Sequence, residues 1–88
     1  MQKYIKIYLD HFDYKTESEV ICEACGKQAV DVHHIHGRGK GKDIIENLMA
    51  LCRKCHERCT TSKNYVKPDE MQYIHNCFLA GQRKSFLT

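Results

Sequence analysis

The sequence has no apolar run near the ~18 residues that a membrane-spanning helix requires, so no such helix and no membrane partner is expected. Its opening residues, Met1-Gln2-Lys3-Tyr4-Ile5-Lys6, lack the apolar stretch of a secretory leader. A reducing, intracellular and cytoplasmic setting is therefore expected, in which cysteines persist as thiols rather than disulfides. There is no internal repeat beyond two short cysteine pairs and no sign of a second domain. With 88 residues, the apolar area a single domain can bury barely offsets the entropy of ordering the chain, and a staple is needed.

The staple is found among the six cysteines. Cys22-Glu23-Ala24-Cys25 is followed by Gly26, and Cys52-Arg53-Lys54-Cys55 lies 26 residues further on. Two Cys-x-x-Cys pairs let four sulfurs meet one ion, so Cys22, Cys25, Cys52 and Cys55 are assigned to a structural zinc. Four buried thiols would leave the repeated spacing unexplained. Cys59 and Cys77 stand outside the pairs and are read as packing residues.

The net charge of +3 is modest, but it is unevenly spread. Residues 1–36 carry four basic against six acidic side chains, residues 37–67 eight against three, and residues 68–88 two against two. Four zinc-bound thiolates would add about −2, so the basic centre suits an anionic partner, and nucleic acid is the natural one.

Taken in order, Tyr4, Ile5, Tyr8, Leu9 and Phe12 recur at helical spacing, which predicts an amphipathic helix over residues 3–12. His11 is expected at its surface. A polar connector should follow from Asp13 to Glu19. Ala29 to Ile35 reads as a strand carrying His33 and His34 near its end, and Gly37-Arg38-Gly39-Lys40-Gly41-Lys42 as a loop. Asn47 to Leu51 reads as a second strand, and Arg53 to about Thr61 as a helix with His56 in its first turn. Ser62 to Lys67 is a polar connector. Pro68 opens a last helix, with Asp69 and Glu70 favourable at its start. Met71, Ile74, His75, Phe78 and Leu79 would pack it on the first helix, with His75 at the core edge, and the tail from Gly81 should fray.

Between the cysteine pairs stand the residues that suggest chemistry. Phosphodiester hydrolysis needs an activated water, charge neutralisation and alignment. His33 and His56 are candidate ligands of one divalent ion, and His34 is the candidate general base. Asn47 would hold the strand end by its amide. Arg38 suits the scissile phosphate, because a guanidinium grips it with paired hydrogen bonds, and Lys40 and Lys42 would contact phosphates. His36 is read as a substrate contact, an exposed loop residue or a metal ligand. One geometric requirement stands out: strand neighbours face opposite ways, so His33 and His34 share a face only if the strand ends or bulges there.

From Cys22 to His56 the chain resembles the HNH endonucleases of the ββα-metal fold, and most of all the small stand-alone HNH proteins common in bacteriophages. The resemblance rests on Cys-x-x-Cys, Val32-His33-His34-Ile35, Ile45-Glu46-Asn47-Leu48 and Leu51-Cys52-x-x-Cys55-His56, in that order. It implies an α+β fold: a zinc-stapled ββα-metal core at residues 22–62, flanked by an N-terminal helix and connector (1–21) and a C-terminal helix and tail (63–88), all one nuclease domain. It also implies His33 and His56 as ligands of the catalytic metal, His34 as general base and Asn47 as orienting residue, in DNA cleavage leaving 5′-phosphate and 3′-hydroxyl ends. Many relatives have Asp where this chain has His33, and some have a histidine where it has Thr60. Two imidazoles without a carboxylate suit Mn2+, Ni2+, Co2+ or Zn2+ better than Mg2+. Weak sequence preference is expected, since the basic residues touch phosphates. A homodimer or a phage protein partner has room in this reading, and a phage-encoded chain would act in the host cytoplasm. The alternative is a non-catalytic, zinc-stabilised nucleic-acid-binding module, which leaves His33, His34, Asn47 and His56 unexplained as a set.

Overall fold

The computed structural model describes residues 2–60 and 66–82. Helix α1 (Lys3–Phe12) leads through a 3-10 turn at Glu17–Glu19 into the first cysteine pair. Strand β1 (Asp31–His34) and strand β2 (Leu48–Leu51) form a two-stranded antiparallel sheet, joined by the glycine-rich loop and a 3-10 turn at Ile45–Asn47. Helix α2 (Arg53–Thr60) begins within the second cysteine pair, and α3 (Pro68–Leu79) closes the described chain. The α+β class and the helix–hairpin–helix order expected from sequence are both present.

α1 forms where the apolar stripe predicts it. It stops at Asp13, which takes a left-handed conformation (φ 60°) while the Tyr14 N–H closes onto Leu9 O at 2.9 Å. α3 starts with Pro68 in its first turn and two acidic residues beside it. The helix expected to reach about Thr61 is described to Thr60. Most of the Ser62–Lys67 connector and all but Gly81 and Gln82 of the expected frayed tail lie outside the described residues.

The hairpin sorts the core. Asp31 pairs with Leu51, Val32 with Ala50, His33 with Met49 and His34 with Leu48. Paired residues share a face, and the face alternates along each strand. Met49 and Leu51 therefore join the cluster containing Cys22, Cys55, Met71 and Ile74, whereas Leu48 and Ala50 join Tyr8, Leu9 and Val20 under α1. All four β2 residues are fully buried, so this strand separates two apolar layers. The same alternation sends Asp31 and His33 toward α2, and Val32 and His34 toward α1.

The strands are shorter than the expected 29–35 and 47–51, although their ladder continues in single bonds from Val30 N to Leu51 O (3.0 Å) and from Ile35 N to Asn47 O (2.9 Å). Asn47 ends the 3-10 turn rather than starting the strand. α3 meets α1 by an edge contact between Phe12 and Phe78, with ring centroids 5.3 Å apart. His75 is not at the core edge: it is fully buried and bonded at both ring nitrogens.

Candidate active site

The four cysteines come together as the spacing predicts. Their sulfurs all lie within 4.8 Å of one another, with Cys25 Sγ and Cys52 Sγ 3.6 Å apart. Gly26, at φ 82°, lets the first knuckle close through Gly26 N–H to Cys22 O (2.9 Å). In the second knuckle the Cys55 N–H points at Cys52 Sγ (3.5 Å). Burial works against ionising Cys52, yet the Cys55 N–H and the neighbouring thiols bring it down to about 7. Burial pushes the thiols of Cys22 and Cys55 up. Four thiolates at this point therefore need a cation among them, and the donor set is that of a tetrahedral zinc site. Cys59 and Cys77 stay outside the cluster; Cys59 is buried with its thiol on Cys55 O (3.3 Å).

The second constellation lies between β1 and α2. His33 Nδ1 and His56 Nε2 face each other at 3.0 Å. The other nitrogen of His56, Nδ1, lies 2.9 Å from Asp31 Oδ2, and Asp31 is also approached by Arg53 at 3.7 Å. A carboxylate only accepts, so His56 donates from Nδ1 and its Nε2 is free to act as a ligand. His33 is driven down to about 4 by burial first and then by the adjacent His56 and His34. It is thus neutral at pH 7, as a metal-ligating imidazole must be. Two imidazole nitrogens aimed at one point fit a divalent ion and leave its remaining positions to solvent and substrate.

His34 does not join that pair. β1 ends at His34, but its register is regular to that point, so the two neighbours stay on opposite faces. Its ring is buried against the edge of Tyr4 (centroids 4.7 Å apart), with Nε2 2.8 Å from Asp43 Oδ1. Asn47, buried, is the clamp of the loop: its Oδ1 accepts from His36 N (2.8 Å), and its Nδ2 donates to Gly37 O (3.2 Å) and Lys42 O (3.0 Å). At Gly37 and Gly41 the backbone is left-handed, and nothing lies within 4 Å of where a Cβ would stand. Glycine serves conformation there, not room.

Arg38 leaves the loop to lie over the Tyr4 ring, 5.0 Å from its centroid, and donates to Tyr4 Oη at 3.3 Å. That places its charge on the same ring that packs against His34. His36 turns instead toward α3, 3.0 Å from Gln72 Oε1, away from the His33–His56 pair. Lys40 and Lys42 are exposed beside an open groove that also borders His36, Asn47 and Gln72.

Sequence reasoning missed Asp31, Asp43 and Tyr4. Asp31 had a signal, for it stands two residues before His33 and so shares its strand face. Tyr4 was visible only as part of an apolar stripe. Asp43 is delivered by a loop, where no periodicity applies.

Residues 22–62 match the family model described as HNH endonuclease. The chain is also 36% identical over 70 residues to the type IV methyl-directed restriction enzyme EcoKMcrA of Escherichia coli strain K12. That match takes in 67% of this chain but 25% of the relative, so the chain spans about a quarter of that protein's length. No solved structure matches the chain.

Proposed function

Starting from an HNH endonuclease family domain at residues 22–62, we propose that this protein is a metal-dependent DNA endonuclease with weak sequence preference, acting in a reducing intracellular compartment. The observation that carries the reading is the convergence of His33 Nδ1 and His56 Nε2 at 3.0 Å, with a carboxylate on the outer nitrogen of His56 that turns Nε2 toward His33.

In this reading His33 and His56 hold one divalent ion, which when bound supplies positive charge to offset that developing on the phosphate and leaving oxygen. With no carboxylate among its two protein ligands, Mn2+, Ni2+, Co2+ or Zn2+ suits the site better than Mg2+. His34, on the other face of β1, takes the proton from the attacking water. A phosphodiester laid across the end of this edge strand meets one imidazole set on each side. Arg38, Lys40 and Lys42 line the approach and neutralise phosphates, His36 borders the same groove as a further substrate contact, and Asn47 fixes the loop that presents them. The four cysteines hold structural zinc.

Supercoiled-plasmid cleavage by wild type and His34→Ala tests this, after chelation and addition of each metal with zinc content verified. The variant is expected to lose at least about 100-fold in rate, the usual share of a general base, while still binding DNA with a steep salt dependence. Wild type that binds DNA but fails to cut it with any of the metals would instead favour the non-catalytic zinc module. A second expectation concerns Asp31. Asp31→Ala should weaken binding of the ion at His33 and His56 by about 10–100-fold, as loss of such an outer partner commonly does. Titration calorimetry with Mn2+ or Ni2+ on zinc-loaded protein reads it, and unchanged affinity would remove Asp31 from the role.

A further inference from the structure

We infer that Asp43 is a positioning residue: it fixes His34 with its proton on Nε2 so that Nδ1 is the nitrogen presented to water. The inference rests on His34 being the base of the proposed reaction. It is carried by how the imidazole is held. Asp43 Oδ1 lies 2.8 Å from Nε2, and a carboxylate can only accept, so Nε2 donates. The neutral ring then keeps its lone pair on Nδ1. Among the described residues Nδ1 has no hydrogen-bond partner, and no fully buried side-chain nitrogen or oxygen is left unpaired, so Nδ1 is not sealed off although the side chain as a whole is only 4% exposed. The Tyr4 edge contact at 4.7 Å stops the ring from swinging away.

Asp43 is itself placed by the loop clamp. Asn47 Nδ2 holds the carbonyl of Lys42, the residue immediately before Asp43, and Lys42 N is bonded back to Gly39 O at 3.1 Å. Among the described residues Asn47 makes no hydrogen bond to the His34 ring; its aim on that ring runs through Asp43. The carboxylate also stabilises the cation that exists once Nδ1 has taken a proton from water, as the acid behind a catalytic histidine does in other hydrolases. Its side chain is 40% exposed, and a pair open to solvent on that scale adds little to folding stability. Loss of Asp43 should thus strike turnover and spare the fold.

The experiment uses the full zinc-loaded chain with Asp43→Leu, which removes the acceptor, and Asp43→Asn, which removes the charge. Nitrogen-15 NMR of the His34 ring, assigned by its disappearance in His34→Gln, should show the Nε2–H form in wild type and a mixture in Asp43→Leu. In plasmid cleavage kcat should fall about 100-fold for Asp43→Leu and at least as far for Asp43→Asn, whose amide N–H can hold the ring in the other tautomer, with KM nearly unchanged. Melting temperatures should stay within a few degrees of wild type. An Nδ1–H form in wild type would overturn the inference. So would full kcat in Asp43→Leu alongside a dead His34→Ala, and that result would leave the nuclease reading standing. Equal cutting by wild type and His34→Ala would overturn the base assignment itself, and Asp43's role with it.

Discussion

Glu23→Ala is expected to lower the free energy of unfolding by about 3–5 kcal/mol, the usual cost of stranding one member of a buried ion pair. Glu23 sits inside the first cysteine knuckle, yet it is fully buried. Its Oε1 lies 2.6 Å from His75 Nδ1 on α3, and its Oε2 accepts from Tyr8 Oη on α1 and from Ala50 N on β2 (3.2 Å). His75 Nε2 lies 2.6 Å from Ile45 O. Both nitrogens of His75 face acceptors, so the ring holds both protons and pairs with Glu23 as a cation. Removing the carboxylate abandons a buried charge, a phenol and an amide N–H at once. Urea unfolding of the zinc-loaded variant measures the loss. A change below about 1 kcal/mol would mean the network contributes no more than a surface pair does.

The same pair gives stability a pH slope whose sign is fixed. Burial alone would lower the pKa of His75, but the Glu23 hydrogen bond and charge, the Ile45 carbonyl and Glu46 outweigh it, and the net direction is up. An unfolded histidine titrates near about 6.5. The folded state therefore keeps its proton to higher pH than the unfolded one. This contribution is complete below the unfolded value and is lost as pH rises through the raised folded value. The urea midpoint should fall on raising pH past about 6.5, and Glu23→Gln should flatten that part of the curve. Tyr8 does not compete in this window, because burial and then the Glu23 charge push its phenol upward.

How much of this was legible in sequence depends on whether a pattern or a fold sets the contact. α1, the hairpin and α3 follow from apolar periodicity and from Pro68, because each element must present one face to a core. The zinc cluster follows from spacing, since Cys-x-x-Cys constrains its own geometry wherever it folds. The opposed faces of His33 and His34 were implicit in strand alternation; what could not be read was that β1 stays regular to His34. Glu23 gave no warning. It belongs to no apolar stripe or repeat, and its partners Tyr8 and His75 lie 15 and 52 residues away. Asp43 and the Arg38–Tyr4 contact are likewise products of where a loop lands. Local pattern specifies elements and their buried faces, whereas polar pairing across elements is decided by packing.

The largest effect is expected from removing the cysteine-held ion: the chelated chain should lose its cooperative fold. A structural zinc contributes an apparent ~10–16 kcal/mol in small metal-stapled domains, whereas the total stability of an ordinary domain is ~5–15 kcal/mol. Here Cys22 and Cys55 are part of the larger core cluster beside Met49, Leu51, Met71 and Ile74. Without a cation, burial favours neutral thiols at Cys22 and Cys55, and the first knuckle and the start of α2 are left with their packing in the shared core. Near-ultraviolet circular dichroism and a thermal melt before and after chelation test this, with Cys55→Ser as a variant that needs no chelator. A chelated protein that still melts cooperatively at the native temperature would show the four cysteines to be packed thiols. The consequence reaches the second site, because Cys55 and His56 are adjacent on α2 and His56 meets His33 across the gap to β1. An ion held by the four cysteines would fix the start of α2, and only a docked α2 brings the two imidazoles within reach of a second ion. Binding of Mn2+ or Ni2+ at the histidine pair should therefore require prior zinc, and calorimetry on chelated protein should show that site absent until zinc is restored.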